Sequence, residues 1–399
     1  MCAVIDLTRA LARLDADRLA ADVARLVRVP SVTGDERAVM EAFAGLCGEH
    51  GLRATLHEHD LADLRARPGH PGEEAARDEL VGVTATLAGG DGPRLCLNGH
   101  LDVVGPGTEP WRHGPWSGAL EDGLLFGRGA LDMKAGVVAA MHAMAAVGND
   151  APGEVVLQAV ASEEDGGLGT FAALEADSAF DACVIPEPTG LAVVVAHGGA
   201  LTFRGVVRGV SAHAAMRLEG VSAIDRYVPL HLALAELERE LNADVAHPLM
   251  AELELPYPVN VGQVHSGDWS SSVPDRLEFE CRVGVPVGMQ PAEVRERVEA
   301  LTDGVAEIAW TGGQFSPAAT DVGDPLVALV SRAIEAETGA PARLMGMPAG
   351  TDMRQFTARG IPCLLVGAGD LRLAHAVDEH VPVAEVLALA RALVRVIAG

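Results

Sequence analysis

The chain has 399 residues, more than one ordinary hydrophobic core holds, so two domains are expected. Hydrophobic residues make up 49% and charged residues 22% of the chain, which is typical of a globular protein rather than a disordered one. The formal net charge of −26 opposes binding to nucleic acid or to an anionic membrane, because both interactions rest on Lys and Arg. We therefore expect neither partner.

The beginning of the chain and its cysteines predict a cytoplasmic protein. Charged residues from Asp6 to Asp15 do not fit a signal peptide, and no apolar run approaches the ~18 residues of a membrane span. No CxxC pair is present, so neither a disulfide framework nor a thiolate zinc site is indicated. Free thiols in a reducing compartment are the simplest interpretation of the six cysteines, which are Cys2, Cys47, Cys96, Cys183, Cys281 and Cys363.

Two helices are predicted near the N-terminus. Apolar residues at helical spacing mark the first, over residues 19–26, and Thr33 with Glu36 forms a capping-box pattern before the second. The loop over residues 62–77, rich in Pro, Gly and charge, is expected to be the most flexible segment. From about residue 81, the strand-like runs VGVTATLA, RLCLNG, EVVLQAVA and DACVIP surround a helical run, MKAGVVAAMHAMAAV. That alternation predicts an α/β domain with a largely parallel sheet.

The pattern changes after about Ala196. A strand that looks exposed, ALTFRGVVRG, precedes a helix over residues 221–241, and the half-solvated strands VNVGQV and RLEFECRVGV precede a helix over residues 291–301. This order fits a small two-layer α+β unit. After about residue 312 the α/β pattern resumes with LVALVSRAIEAE, IPCLLVG and a closing helix over residues 383–397.

The second domain is therefore predicted to be inserted into the first. Residues 1–195 and 312–399 are assigned to the two parts of the α/β domain, and residues 196–311 are assigned to the insertion. We find no internal repeat and no low-complexity segment.

Imidazoles and carboxylates stand where predicted strands end, which is where ligands bind in α/β sheets. Adjacent carboxylates are costly to bury unless cations meet them. Two divalent ions would offset three carboxylates and leave one positive charge for a bridging hydroxide. The residues of the types that hold Zn²⁺ or similar ions are His100, Asp132, Glu164, Glu187 and His375.

The motifs GHLDVV, GRGALDMKAG, SEED, PEPT, GVSAHAA and LAHAVDEHV, in this order, resemble those of the M20 family of metallopeptidases and deacylases. That family includes acetylornithine deacetylase, succinyl-diaminopimelate desuccinylase, aminoacylase-1 and glutamate carboxypeptidase. The resemblance covers nearly the whole chain. It implies an α/β, mostly parallel-sheet dizinc catalytic domain with an inserted α+β, ferredoxin-like lid and dimerisation domain, and hence a homodimer.

By this resemblance, Asp132 bridges two zinc ions. Glu164 and His375 complete one of the two sites, and His100 and Glu187 complete the other. Co²⁺ or Mn²⁺ tolerate similar ligands, so zinc is the family's expectation.

The resemblance also assigns catalytic roles. Asp102 accepts a hydrogen bond from His100 and fixes its tautomer. Glu163 is the general base, which deprotonates a water molecule and returns the proton to the leaving amine. His213 of SAHAA reaches the opposite subunit's site and stabilises the oxyanion.

Three further residues are candidates for substrate binding. Arg282 resembles the family's arginine for the substrate carboxylate, which bidentate guanidinium geometry suits. Gly350 and Thr351 in PAGTDMRQF resemble a loop that touches substrate, although the start of a helix explains them as well.

The chain departs from the family pattern at Met216-Arg217, at Ser271 and at His380. None of these residues is a predicted metal ligand, and the first two departures lie in the lid, so they leave the substrate preference open. Histidines outside the motifs are interpreted as structural; they include His113, His142, His197 and His265.

The resemblance implies removal of an acyl group from a small-molecule N-acyl amino acid. A dipeptidase or carboxypeptidase, with the same metals and base but a peptide substrate, is the alternative. A non-catalytic binding or scaffold protein on this fold would show decay at the ligands or the base, yet all five ligands and Glu163 are present.

Overall fold

Two β-sheets of different size organise the chain. The computed structural model describes residues 5–399, so the predicted free thiol of Cys2 lies outside the described residues. The helices are α1 Leu7–Leu11, α2 Ala16–Val27, α3 Arg37–Glu49, α4 Leu61–Ala66, α5 Ala135–Val147, α6 Leu168–Ala176, α7 Ala223–Leu241, α8 Pro291–Thr302, α9 Pro325–Thr338, α10 Met353–Thr357 and α11 Val383–Ala398.

In chain order the strands are β1 Arg53–Glu58, β2 Val81–Leu87, β3 Leu95–His100, β4 Ala119–Glu121, β5 Leu124–Phe126, β6 Val155–Val160, β7 Ala182–Ile185, β8 Val193–His197, β9 Gly199–Arg208, β10 Val259–Ser266, β11 Arg276–Val285, β12 Ala306–Phe315, β13 Ala318–Ala319, β14 Leu344–Met347, β15 Cys363–Leu365 and β16 His380–Pro382. The runs that the sequence marks as strand-like form β2, β3, β6, β7, β9, β10, β11 and β15, and the other strands were not predicted.

The larger sheet has nine strands, in the order β1-β2-β6-β3-β7-β15-β8-β13, with β14 paired to β8. Its central strands β6, β3, β7 and β15 run parallel, whereas the pairs toward both edges are mostly antiparallel. All six residues of β6 are buried, which is expected of a parallel strand covered on both faces. The predicted α/β class with a mostly parallel central sheet is therefore confirmed.

The smaller sheet belongs to one continuous segment. Its order is β10-β11-β9-β12, all pairs are antiparallel, and α7 and α8 pack against it, which gives a ferredoxin-like unit. The expectation that β9 is exposed is wrong: it is an inner strand whose side chains are alternately buried and solvated. The sheet runs from Gly199 to Phe315, and the domain boundaries at residues 195 and 311 stay a prediction.

One local prediction near the N-terminus is wrong. Glu36 precedes α3 without capping it, because its carboxylate accepts hydrogen bonds from the Gly34 amide at 2.7 Å and from Arg77 at 3.2 Å. The hydroxyl of Thr33 donates instead to Asp102. The loop over residues 62–77 includes most of α4 and ends at Arg77, whose side chain is fully buried, and its flexibility stays a prediction.

The helix that begins at the metal-site motif is the most deeply buried helix of the described chain. Within residues 5–399, one helical stretch, Ala130–Asp150, has the length and apolar composition to cross a membrane, and 89% of its most apolar part is buried inside the protein. The five described cysteines are free and buried, as predicted.

Gly136 allows α5 to approach the end of β7. A Cβ at Gly136 would lie 2.1 Å from the carbonyl oxygen of Pro186, the residue before Glu187. We expect Gly136→Ala to lower the free energy of unfolding by about 1–3 kcal/mol, because the helix must move away. Urea denaturation measures this change.

Gly45 of α3 provides a matched control, because no atom lies within 4 Å of a Cβ built there. Gly45→Ala should raise the free energy of unfolding by about 0.5–1 kcal/mol through helix propensity alone. Equal effects of the two substitutions would contradict the steric explanation.

Candidate metal centre and active site

Three neighbouring parallel strands deliver side chains to one edge of the large sheet. His100 is the last residue of β3, Glu163 and Glu164 follow β6, and Glu187 follows β7. Because β6, β3 and β7 are adjacent and parallel, their carboxyl ends meet at the same edge. Asp132, which precedes α5, joins them there.

The five predicted metal ligands form two sets that share Asp132. On one side, His100 Nε2 lies 3.1 Å from Asp132 Oδ1 and 3.9 Å from Glu187 Oε1. On the other side, His375 Nε2 lies 3.1 Å from Glu164 Oε2 and 3.6 Å from Asp132 Oδ2. Each oxygen of the Asp132 carboxylate thus faces a different histidine.

The charges in this cluster act strongly on one another. Burial opposes ionisation of Asp132, but its contacts with His100 and His375 outweigh burial and hold its pKa well below the usual range. Contacts with Asp132 and Glu164 raise the pKa of His375 to about 10. Burial, reinforced by Asp132, raises the pKa of Glu187 to about 8. A concentration of carboxylates in which the pKa values of Asp132, His375 and Glu187 are shifted is the environment that cations stabilise.

The donor set fits divalent metal ions. Imidazole nitrogens and carboxylate oxygens suit Zn²⁺ and similar ions, and donor atoms of His100, Asp132 and Glu164 all lie within 4.8 Å of one another. The carboxylate of Asp132 presents one oxygen to each set, so it has the position that a bridging ligand needs.

Asp102 supports this centre in a different way from the one predicted. The ring Nδ1 of His100 lies 2.8 Å from the main-chain carbonyl oxygen of Asp102 and 3.6 Å from its carboxylate, so the hydrogen bond goes to the main chain. The carboxylate of Asp102 instead accepts the main-chain N–H groups of Glu163 and Glu164, both at 3.2 Å. Asp102 therefore fixes the turn that carries the two glutamates.

Glu163 lies beside the cluster and is not hydrogen-bonded to it. Burial first, and the nearby Asp352 carboxylate next, raise its pKa well above the usual range. Asp352 is itself buried and lies 3.5 Å from the buried Arg354, whose guanidinium also donates to the Gly166 carbonyl at 2.5 Å. The segment PAGTDMRQF thus contains two charged residues, Asp352 and Arg354, that sequence reasoning did not select.

A second buried ion pair missed by sequence reasoning connects two metal-ligand segments. Arg128 donates to Glu379 at 2.6 Å and to the carbonyl oxygen of His375 at 3.1 Å. The other carboxylate oxygen of Glu379 accepts the N–H groups of Leu131 and Asp132, at 3.0 and 3.2 Å. The pair holds the main chain at Asp132 and His375, which are 243 residues apart in the sequence, in one arrangement.

Arg77 performs a similar role for the glutamate turn. Its guanidinium contacts Asp165 at 3.2 Å and Glu36 at 3.2 Å, and Asp165 also accepts the N–H groups of Glu74 and Ala75. Asp165 directly follows Glu164, so this network attaches the loop that precedes β2 to the site. The acidic motif was the only signal for Asp165 in the sequence; nothing there indicated its partner.

The predicted lid residues lie apart from the cluster. His213 is exposed, its Nδ1 accepts the Ala215 N–H at 3.1 Å, and within the described residues it makes no hydrogen bond or ion pair with the five predicted ligands. Arg282 lies on β11 opposite Asn260 and Thr202, and burial lowers its pKa. No ion-pair partner of Arg282 occurs in the part of the chain that the structure describes.

The remaining substrate-binding candidates, Gly350 and Thr351, and the residues that depart from the family pattern each have contacts within their own surroundings. Thr351 accepts the Met353 N–H at 3.2 Å, as a residue at the start of a helix does, and a Cβ at Gly350 would lie 2.6 Å from Phe315. The departing residues Met216 and Ser271 lie on the lid side, whereas the ring of His380 packs against Phe126 and bonds to the Asp378 carbonyl.

Comparisons with known proteins agree with this architecture. The model of peptidase family M20/M25/M40 matches residues 96–399. Succinyl-diaminopimelate desuccinylase of Gluconacetobacter diazotrophicus is 31% identical to this chain over 385 residues, and the match covers 91% of this chain and 92% of the relative. The succinyl-diaminopimelate desuccinylase of Methylobacterium radiotolerans is also 31% identical, and that match covers 92% of each chain. A solved M20 family metallo-carboxypeptidase from Sulfolobus solfataricus has a TM-score of 0.78 at 17% identity, covering 96% of this chain and 99% of that one, which shows the shared fold.

The fold and the site together define a metal-dependent hydrolase of amide bonds. The chain belongs to peptidase family M20/M25/M40. The predictions of family, enzyme class and fold are confirmed.

The ion pair of Arg128 and Glu379 gives a test of how this centre is held. Glu379→Gln leaves the buried Arg128 guanidinium without a counter-charge, so we expect the free energy of unfolding to fall by about 3–5 kcal/mol. Urea denaturation measures the loss, and Glu307→Gln, which breaks a solvent-exposed pair with Arg208, should leave stability unchanged. Equal stability of the two variants would contradict a role for the buried pair.

Proposed function

We propose that this enzyme removes the acyl group from an N-acyl amino acid. The observation that carries the proposal is the pair of ligand sets joined by Asp132, with the carboxylate of Glu163, which accepts no hydrogen bond within residues 5–399, beside them. The names of the two relatives, both desuccinylases, support an acyl substrate and make a succinyl group the first to test.

The five ligands would hold two divalent ions. In this proposal His100, Asp132 and Glu187 bind one ion, and Asp132, Glu164 and His375 bind the other; we propose zinc, with Co²⁺ or Mn²⁺ suited to the same donors. Two such ions, when bound, polarise the scissile carbonyl and make water a stronger nucleophile.

Glu163 is proposed as the general base. Its burial beside Asp352 raises its pKa, so the carboxylate is a better proton acceptor than one in water. It takes a proton from the attacking water as the water oxygen bonds to the scissile carbonyl carbon. The same proton then passes to the amide nitrogen as the carbon–nitrogen bond breaks, which releases a carboxylic acid and a free amine. Asp102 keeps Glu163 in place through the N–H groups of the turn.

The lid supplies the proposed substrate contacts. The guanidinium of Arg282 is partly buried without a carboxylate partner in the described chain, so a carboxylate of the substrate would satisfy it in a bidentate arrangement. We propose that Gly350 and Thr351 line the substrate beside Glu163, and that His213 stabilises the oxyanion.

A homodimer is proposed because His213 does not contact the ligands of its own chain. The apolar side chains of Ile224, Val228 and Leu232 recur every four residues on α7 and are 42, 50 and 64% exposed. They lie on the helix that packs on β10, an edge strand whose Val264 is 46% exposed. Such a face suits a second copy of the lid. The free, buried cysteines support a cytoplasmic location.

A substrate panel tests the reaction. We expect zinc-loaded enzyme to release amine from N-succinyl or N-acetyl amino acids with a kcat/KM at least about tenfold above that for dipeptides, because a deacylase discriminates in its acyl site. Glu163→Gln should reduce turnover by about 10²–10⁴ and retain its metal.

Glu109→Gln, at an exposed position, is the control and should remain fully active. Faster cleavage of dipeptides would replace the deacylase with the peptidase alternative. Unchanged activity in Glu163→Gln would remove Glu163 as the base.

The dimer is tested by Leu232→Asp, which places a charge in the apolar face of α7. The expected result is a halved mass in light scattering and reduced hydrolysis, because His213 would no longer reach a neighbouring centre. Leu120→Asp, at a position 58% exposed on β4, should change neither. A wild-type monomer with full activity would contradict the proposal.

A further inference from the structure

We infer that Asp22, His50 and His142 form a separate binding site for one divalent transition-metal ion such as Zn²⁺. The three residues share no member with the centre described above. They lie where α2, the end of α3 and α5 meet, on the helical side of the α/β unit.

The donor atoms converge on one point. The Nε2 atom of His50 lies 2.7 Å from Asp22 Oδ2, and the Nε2 atom of His142 lies 2.9 Å from the same oxygen. Donor atoms of all three residues lie within 4.8 Å of one another, and the two imidazole rings are 4.4 Å apart between centroids. Two imidazoles that only needed a hydrogen-bond acceptor could each use a different oxygen of the carboxylate.

These polar groups stand in an apolar setting. His142 is the one titratable residue of α5, and all its helical neighbours at buried positions are apolar or Gly. The side chains of the three residues are only 5–7% exposed, just beneath the surface. Burial of polar groups is costly unless they are paired. A metal ion bound by all three side chains would offset the cost of bringing them together from separate helices.

The donor chemistry selects the ion. Two imidazole nitrogens and one carboxylate oxygen are a common set for Zn²⁺, with a fourth position left for water. In tetrahedral coordination the donor atoms would stand about 3.3 Å apart, so the two distances from the imidazole nitrogens to Asp22 Oδ2 need to lengthen by only about 0.5 Å. Each neutral imidazole then carries its proton on Nδ1, and Nε2 binds the ion.

The charges around the cluster leave room for a cation. The pKa of His142 is lowered mainly by burial, and Arg18 is close enough to make a small contribution. On the same helix as Asp22, Arg25 faces the other oxygen of that carboxylate at 3.8 Å. Its guanidinium makes two hydrogen bonds to Glu49, at 2.7 and 2.9 Å, so Glu49 already compensates its charge. The oxygen that both histidines contact is therefore free of Arg25.

An ion at this position would join α2, α3 and α5. His142 lies seven residues beyond the start of α5, about 10 Å along the helix, and α5 begins directly after the segment of Asp132. Metal binding to the folded chain stabilises it by mass action, so the site would fix the helix from which the catalytic segment extends.

Elemental analysis tests the inference. After zinc loading and removal of unbound metal, His50→Gln should hold one zinc ion fewer per chain than the wild type, with the far-ultraviolet circular dichroism and the turnover of wild-type enzyme. Asp22→Asn should also hold one zinc ion fewer per chain, which would show that the loss is not specific to a substitution at His50. His265→Asn, at an exposed position on β10, should keep the full count.

Thermal unfolding gives an independent measure. Excess zinc should raise the midpoint of wild type more than that of His50→Gln. Equal zinc counts in wild type and both cluster variants would overturn the inference. The measured quantity is a difference of one zinc ion per chain, which does not depend on whether the enzyme acts on N-acyl amino acids. Failure of the substrate panel would therefore not contradict this inference.

Discussion

The structure depends on one electrostatic constraint, the collection of carboxylates at the carboxyl edge of β6, β3 and β7. Asp132, Glu164 and Glu187 approach two histidines there within 3.1–3.9 Å, and the three carboxylates are largely buried whereas the side chain of His375 is 53% exposed. Parallel strands bring these groups together because their ends lie side by side. The charges are compatible with a folded protein because the histidines, and the cations that such donors bind, oppose them.

The main chain around this edge is held by buried ion pairs, not by the candidate ligands themselves. Arg128 and Glu379 join the segments of Asp132 and His375, and Arg77 joins the glutamate turn through Asp165 to the loop before β2. Asp102 adds hydrogen bonds to the same turn. These supporting residues fix the main chain from which the candidate metal ligands extend. They therefore determine how accurately the ligand side chains are positioned.

A comparison of the two histidine-containing clusters shows what surroundings do to similar donors. His100 and His375 lie among several carboxylates, which raise the pKa of both. His142 shares a single carboxylate with His50 inside an apolar helix junction, and burial lowers its pKa to about 4. Imidazole and carboxylate therefore serve hydrolysis in one place and, in our inference, the anchoring of helices in another.

The sequence by itself determined the class of fold, most helices, half of the strands and the residues at strand ends, because hydrophobic period and motif order are local properties. It could not reveal that Glu36 pairs with Arg77 instead of capping α3, that the carbonyl of Asp102 receives His100, or that Glu379 meets Arg128. The pairs of Glu36 with Arg77 and of Glu379 with Arg128 join residues distant in the chain. His100 and Asp102 are two residues apart, and their contact depends on how the main chain turns after β3. Only the tertiary structure decided them, since a buried charge takes the partner that the packed fold brings within reach.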